Sequence, residues 1–245
     1  FNQNIGQQFW TKLINDDLID KPKTSKVKKV LLINVFFAPQ SVGGATRIAQ
    51  DYALAMTNDP NNNYEVTVLC TDYEHWHANP NVATKNNDNF TEISSSYKDT
   101  FSLSETYWNG IRILRLCIPP KPWSQHYDPE IELFCDQLFK QERFDLIQCH
   151  CCQILTAAPL IAAENHSIPY EIVMHDGWWM SPEQFLVSPA GVVINPSDPI
   201  AHIDHEPSDD EKQEAHERRD MLYKILESAQ RRIAVSASFK NICEE

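Results

Sequence analysis

Residues 30–56, VLLINVFFAPQSVGGATRIAQDYALAM, decide the fold. Val30, Leu31, Leu32, Ile33, Val35, Phe36 and Phe37 form a nearly unbroken apolar run. Such a run suits a strand covered on both faces, as in a parallel sheet with helices above and below. Pro39 ends it, and Gly43 and Gly44 follow in a loop where the backbone can take positive φ and admit another group closely. From Ala45 onward, Ile48, Tyr52 and Met56 share a helical face with Ala49 and Ala53. Strand, glycine loop and helix together aim unpaired N–H groups and the positive end of a helix dipole above the sheet, where an anion such as phosphate is at home.

Working outward, residues 59–63 (DPNNN) read as a turn and residues 65–70 (EVTVLC) as a second strand, closing a βαβ crossover. Residues 72–109 are polar and predict a long loop region with short strands. NGIRILRLCIPP then supplies a turn signal, a strand over 111–118 and a proline stop. Asp128 is placed to cap a helix that buries Ile131, Phe134, Cys135, Leu138 and Phe139, and FDLIQC (144–149) is the next strand. An Ala-rich helix over 152–166, with Pro159 kinking it or marking its first turn, precedes the strand 169–175. Ser181-Pro182-Glu183 reads as a helix start with proline at its first position. A long charged helix over 211–230 buries Met221, Leu222, Ile225, Leu226 and Ala229, and RIAVS (232–236) is the last strand. Helices and strands alternating in this way predict an α/β fold, a doubly wound parallel sheet of the Rossmann-like kind. Residues 1–28 read as an appended amphipathic helix and a lysine-containing linker, and residues 29–245 as one domain.

Composition excludes several classes of function. The chain carries 34 Asp+Glu against 21 Lys+Arg, a formal net charge of −13, with no basic block, so its field repels nucleic acid and anionic lipid. No run reaches the ~20 apolar residues of a membrane span, and no cleavable signal stands at the start. The seven cysteines, an odd number, sit mostly in apolar segments such as those around Cys70, Cys117 and Cys149, which favours buried thiols in a reducing cytosol over disulfides.

In open parallel sheets ligands bind beyond the carboxyl ends of the strands. Three places qualify: Gly43-Gly44, His150, and His175-Asp176. The glycine pair is no dinucleotide fingerprint, because G-x-G-x-x-G is absent and the second strand ends in Cys70-Thr71 without a well-placed ribose-binding acid. His150 stands among Cys149, Cys151 and Cys152, which invites zinc. In an extended segment these side chains alternate faces, and no further pair exists to complete a site, so no metal is expected. His75 with His77 and His202 with His205 have ligand-like spacing but lie in polar loops and read as solvated. In His175-Asp176-Gly177-Trp178-Trp179 the tryptophans either cap the sheet edge or offer a face to a sugar, while the histidine and aspartate supply hydrogen bonds to hydroxyls or a proton transfer.

The LLI strand, the loop with Pro and Gly-Gly, NNYEVTVLC, NGIRILRL, FDLIQCH, IPYEIVMHD and RRIAVSASFKN, in this order, resemble the N-terminal domain of group 1 retaining glycosyltransferases with the GT-B fold. The resemblance runs from Lys29 to Glu245 and implies the acceptor-side half of a GT-B architecture. It implies transfer of a sugar from a nucleoside diphosphate donor to a glycan or glycolipid acceptor, with the nucleotide sugar as substrate and no further cofactor. Gly43 and Gly44 would approach the donor diphosphate and the acceptor, and His150 the transferred sugar. His175 and Asp176 would face the interdomain cleft, and Ser236 would stand where the chain turns toward a second domain. Catalytic roles thus fall on His150, His175 and Asp176, and substrate contacts on Trp178, Trp179 and Ser236. The family's nucleotide-binding C-terminal domain, with its Glu-x7-Glu signature, has no counterpart in these residues, so the chain is expected to be an excised piece with little turnover alone. A cytoplasmic location, peripheral to the inner membrane face at most, goes with this reading. The alternatives are a nucleotide-sugar epimerase of the same architecture and a non-catalytic glycan-binding module that uses Trp178 and Trp179 as its platform.

Overall fold

A computed structural model describes residues 27–40, 43–61, 63–71, 91–93, 102–118, 122 and 124–244. The appended helix and most of the linker expected over 1–28, together with His75 and His77, lie outside the described residues. The fold is α/β with a mostly parallel, Rossmann-like sheet. The chain divides into two compact units, Phe1–Pro120 with Gln141–Gln148, and Lys121–Lys140 with Cys149–Glu245.

The first unit is built from β1 (Lys28–Asn34), α1 (Gly43–Thr57), β2 (Tyr64–Thr71), β3 (Thr91–Ile93), β4 (Ser102–Trp108) and β5 (Ile111–Cys117). Its strands run in the order β3-β4-β5-β2-β1, followed by the first residues of β6 (Leu146–Cys151). β1 and β2 pair in parallel with Val30 opposite Val66, and β2 and β5 do so with Leu69 opposite Leu114. Side chains alternate faces along a strand, so Val30 and Leu32, Val66 and Val68, and Ile111 and Ile113 share one face. They pack there with Ala49, Tyr52, Ala53 and Met56 of α1, the residues that the helical spacing selected, Ile48 excepted.

The sheet is not wholly parallel, contrary to the expectation from sequence. β4 pairs antiparallel with β5, and β3 with β4. Asn109 (φ 50) and Gly110 (φ 80) join β4 to β5 as a two-residue turn with both residues left-handed. Asn-Gly favours that geometry, and its twist matches an antiparallel hairpin.

The carboxyl edge of this unit is polar and buried. Arg115 lies in register with Cys70 on the α1 face and is only 5 % exposed. Its Nη1 donates to Gln40 Oε1 (3.1 Å) and its Nη2 to the Ala38 carbonyl (2.6 Å). Gln50 Nε2 donates to the Gln40 carbonyl (3.0 Å), and Asn34 Nδ2 to the Phe36 carbonyl (2.5 Å). The loop leaving β1 is thereby tied to both β5 and α1.

The second unit contains α2 (Pro129–Gln141, except its last residue), the end of β6, α3 (Ala158–Asn165), β7 (Tyr170–Met174), a 3-10 turn (Gly177–Trp179), α4 (Asp209–Ser228), β8 (Arg231–Ala234) and α5 (Ala237–Glu244). Its strand order is β6-β7-β8, and β7 and β8 are parallel. Asp128 does cap α2, its Oδ1 accepting from the N–H groups of Glu130 (2.9 Å) and Ile131 (3.2 Å). Three local expectations change. The helix expected from 152 begins only at Ala158, with Pro159 in its first turn, because residues 152–157 form a buried loop. Ser181-Pro182-Glu183 starts no helix, since Ser181 Oγ accepts from Glu183 N (3.2 Å) and closes a local turn. α4 starts two residues early because Ser208 and Glu211 form a capping box ahead of it.

Gly43 opens α1 at φ +76 and Gly44 does not share that conformation; an added Cβ would meet nothing within 4 Å at either. Gly43→Ala should therefore lower stability by about 1–2 kcal/mol through backbone strain. Gly44→Ala should leave it unchanged or raise it by up to about 1 kcal/mol. Urea unfolding midpoints of the two variants check the contrast.

Candidate functional site

The second unit gathers the residues singled out in the sequence at the carboxyl ends of β6 and β7. β6 continues two residues further than expected, so His150 lies inside the strand near its end and not beyond it. It is 1 % exposed. β7 ends at Met174, which makes His175 the first residue past the strand. His150 Nδ1 and His175 Nε2 are 3.0 Å apart, and the rings stack with centroids 5.2 Å apart at 26°. Burial holds both imidazoles below their ordinary pKa, His175 at about 4, and the neighbouring His175 lowers His150 further. At neutral pH both rings are neutral. One nitrogen of the facing pair then carries the shared proton and donates it to the other.

Asp176 caps the 3-10 turn. Its Oδ1 accepts from Trp178 N (3.0 Å), and Gln153 Nε2 donates to Oδ2 (3.1 Å) and Oδ1 (3.3 Å). Burial raises its pKa, and the bonds from Trp178 and Gln153 oppose that rise. Gln153 comes from the buried loop after β6, in which Ile154 (φ 67) and Thr156 (φ 59) are left-handed. A β-branched residue there is strained, and strain of this kind persists where surrounding packing over-determines the backbone.

Trp178 and Trp179 are 1 % and 5 % exposed, with their rings edge to face at 5.3 Å. They fill the interior beside the sheet edge, and neither offers the open ring face that a glycan platform needs. Gly177 between Asp176 and Trp178 has a packing reason. A Cβ there would lie 2.6 Å from Leu186 Cδ2 and 3.1 Å from the Gln184 carbonyl, to which Gly177 N already donates (2.7 Å).

Ser236 is exposed and accepts from Phe239 N (3.1 Å) at the start of α5. With Trp179 it lines a groove of about 870 Å³ whose walls include Arg219, Tyr223, Arg232 and Lys240. Gly43 and Gly44 belong to the first unit. Among the described residues no group of three His, Cys, Asp or Glu side chains could hold a metal ion. Cys151 and Cys152 are buried thiols whose pKa values are pushed up by burial. His205 is exposed and pairs with Glu211 (3.1 Å), whereas His202 is half-buried and held below its ordinary pKa by burial.

Two residues of this unit escaped the sequence reading, Gln153 and Arg218. Arg218 is 4 % exposed, its guanidinium lies 5.1 Å from the Trp178 ring centre, and its Nη2 donates to the Trp178 carbonyl. A signal was present. Ala215, Arg218, Leu222 and Ile225 are the buried positions of α4, and Arg218 occupies a slot on the apolar face. No helix among the described residues is long and apolar enough to cross a membrane. The chain matches no protein-family model and no curated protein.

Gly177→Ala should lower stability by about 1–3 kcal/mol through overpacking against Leu186, read by chemical denaturation. The histidines set a pH dependence. Below their ordinary pKa of 6.5 the unfolded chain takes up a proton at His175, and the folded chain does so only near pH 4. Stability attributable to His175 is therefore present above pH 6.5 and lost as pH falls toward 4, by roughly 3 kcal/mol at most. Thermal unfolding of His175→Gln should decline less steeply than wild type across that window.

Proposed function

We propose that the chain is the acceptor-side domain of a retaining glycosyltransferase that moves a sugar from a nucleoside diphosphate donor to a glycan or glycolipid. The observation that carries this reading is the His150–His175 pair with Asp176 beside it at the carboxyl ends of β6 and β7. In sequence these residues follow the order of the resembling family's sugar-contacting histidine and its His-Asp pair. A neutral imidazole pair suits sugar hydroxyls, because each ring offers a donor or an acceptor without a change of charge near pH 7.

In this reading His150 and His175 orient the transferred sugar, and Asp176, fixed by Gln153 and Trp178 N, accepts from a hydroxyl. Within the first unit, the Gly43-Gly44 turn at the start of α1 offers backbone N–H groups of the kind that suit a phosphate. The exposed Gly44 supports this role, since neither its φ nor its packing requires glycine. Bond breaking then rests on the leaving diphosphate and not on a titrating histidine.

The test is His150→Ala in the complete protein, with folding checked by circular dichroism and sugar transfer followed from labelled donor. The expected loss is about a hundredfold or more in kcat/KM. Full activity in a folded variant refutes the assignment, and product formed from donor alone without acceptor shifts the reaction to epimerisation.

A further inference from the structure

The groove that Trp179 and Ser236 line lies wholly in the second unit, and neither His150 nor His175 contributes to it. Its volume of about 870 Å³ is that of a small-molecule site, for which about 300–1,000 Å³ is usual. It takes in Met174 and Ala234, the last residues of β7 and β8, and so opens at the strand ends where ligands of parallel sheets bind. One wall is a single face of α4, because Arg219, Tyr223, Leu226 and Glu227 follow one another at helical spacing.

Two guanidiniums are tethered at its rim. Arg219 Nη1 donates to the Ser197 carbonyl (2.7 Å) and Arg232 Nη1 to the Leu226 carbonyl (2.9 Å), and both accepting residues line the groove themselves. Both arginines are exposed, and no ion pair among the described residues includes either. The other cations of the groove are matched, since Lys240 meets Glu244 at 3.4 Å and Arg231 meets Glu171 at 2.8 Å. The remaining lining carboxylate is Glu227, which leaves two guanidiniums against one negative charge in a chain whose net charge is −13. A guanidinium held by one nitrogen to a carbonyl keeps its remaining N–H groups for an oxyanion and has less rotamer freedom left to lose on binding.

Apolar surface adjoins these charges. Met174, Trp179 and Ile233 line the groove, and the Tyr223 ring, one turn along α4 from Arg219, is 59 % exposed. A flat ligand gains a face to lie on there while its charged group reaches the N–H groups of the arginines.

We propose that this groove binds a small aromatic oxyanion, a phosphate monoester or a carboxylate, whose charged group is held by Arg219 and Arg232 and whose ring lies against Tyr223. The site rests neither on the glycosyltransferase reading nor on the histidine pair.

The experiment titrates the full chain with phenyl phosphate and, separately, with benzoate, and follows Tm, with benzyl alcohol as neutral control and chloride at matched ionic strength. At least one aromatic anion should raise Tm saturably where neither control does, and the stronger arm names the charged group. Arg219→Gln and Arg232→Gln, both at exposed positions, should each weaken that anion by about tenfold, and Tyr223→Ala by about fivefold. No saturable rise with either anion overturns the site. So does an affinity unchanged in both arginine variants, which places the anion elsewhere, or one unchanged in Tyr223→Ala, which leaves the ring without a role.

Discussion

The hydrogen bond between His150 and His175 fixes the end of one strand against the start of the loop leaving another, and the polar interior of the second unit follows from it. With both rings neutral, the pair can be buried at far smaller cost than two ions would incur. Once β6 is held to its last residue, the chain must turn sharply inside the protein, and Ile154 and Thr156 take up left-handed backbone to do so. That turn delivers Gln153 to Asp176. Asp176 in turn caps the short helix whose Trp178 receives Arg218 from α4. Each group satisfies the next, and the two atoms left over, Gln153 Oε1 and Arg218 Nε, mark where the network is incomplete.

The first unit handles buried polarity in another way. Arg115 is enclosed as completely as Arg218, yet its two Nη groups meet a side-chain oxygen and a carbonyl of the loop leaving β1. It works as a clamp that sets the course of residues 35–40 into α1. The comparison gives Arg218 its significance. Among the described residues two guanidiniums are buried, and of these only that of α4 leaves a buried nitrogen without a partner.

The core strands and helices were legible because their periodicities are strong. The run 30–37 and the α1 face Ala49, Tyr52, Ala53 and Met56 announce a covered parallel strand and its crossover helix. The antiparallel arm was half legible. Asn109-Gly110 was recognised as a turn, but the polar residues before it hid β4, whose pairing depends on β5 and not on its own hydrophobicity. Helix starts failed where a local side-chain bond competed, as at Ser181. His150, His175 and Asp176 could be selected from strand-end position alone, whereas Gln153 and Arg218 could not. A glutamine in a loop and an arginine in a charged helix look solvated until tertiary packing removes the water, and only the apolar slot between Ala215 and Leu222 betrayed Arg218.

A Rossmann-like sheet hosts many chemistries, so the choice among them must come from the electrostatics of the site. A general acid or base works best with a pKa near the operating pH. His175 at about 4 and the still more deeply buried His150 are displaced away from that range, and burial moves Asp176 upward from the bottom of it. A reaction that demands a protonated histidine near pH 7 is therefore poorly served here. Reactions in which the leaving group carries its own charge stabilisation, and the protein has only to hold hydroxyls in place, are served well by two neutral rings and a carboxylate fixed by an amide and a backbone N–H. That distinction is the electrostatic support for the group transfer proposed above.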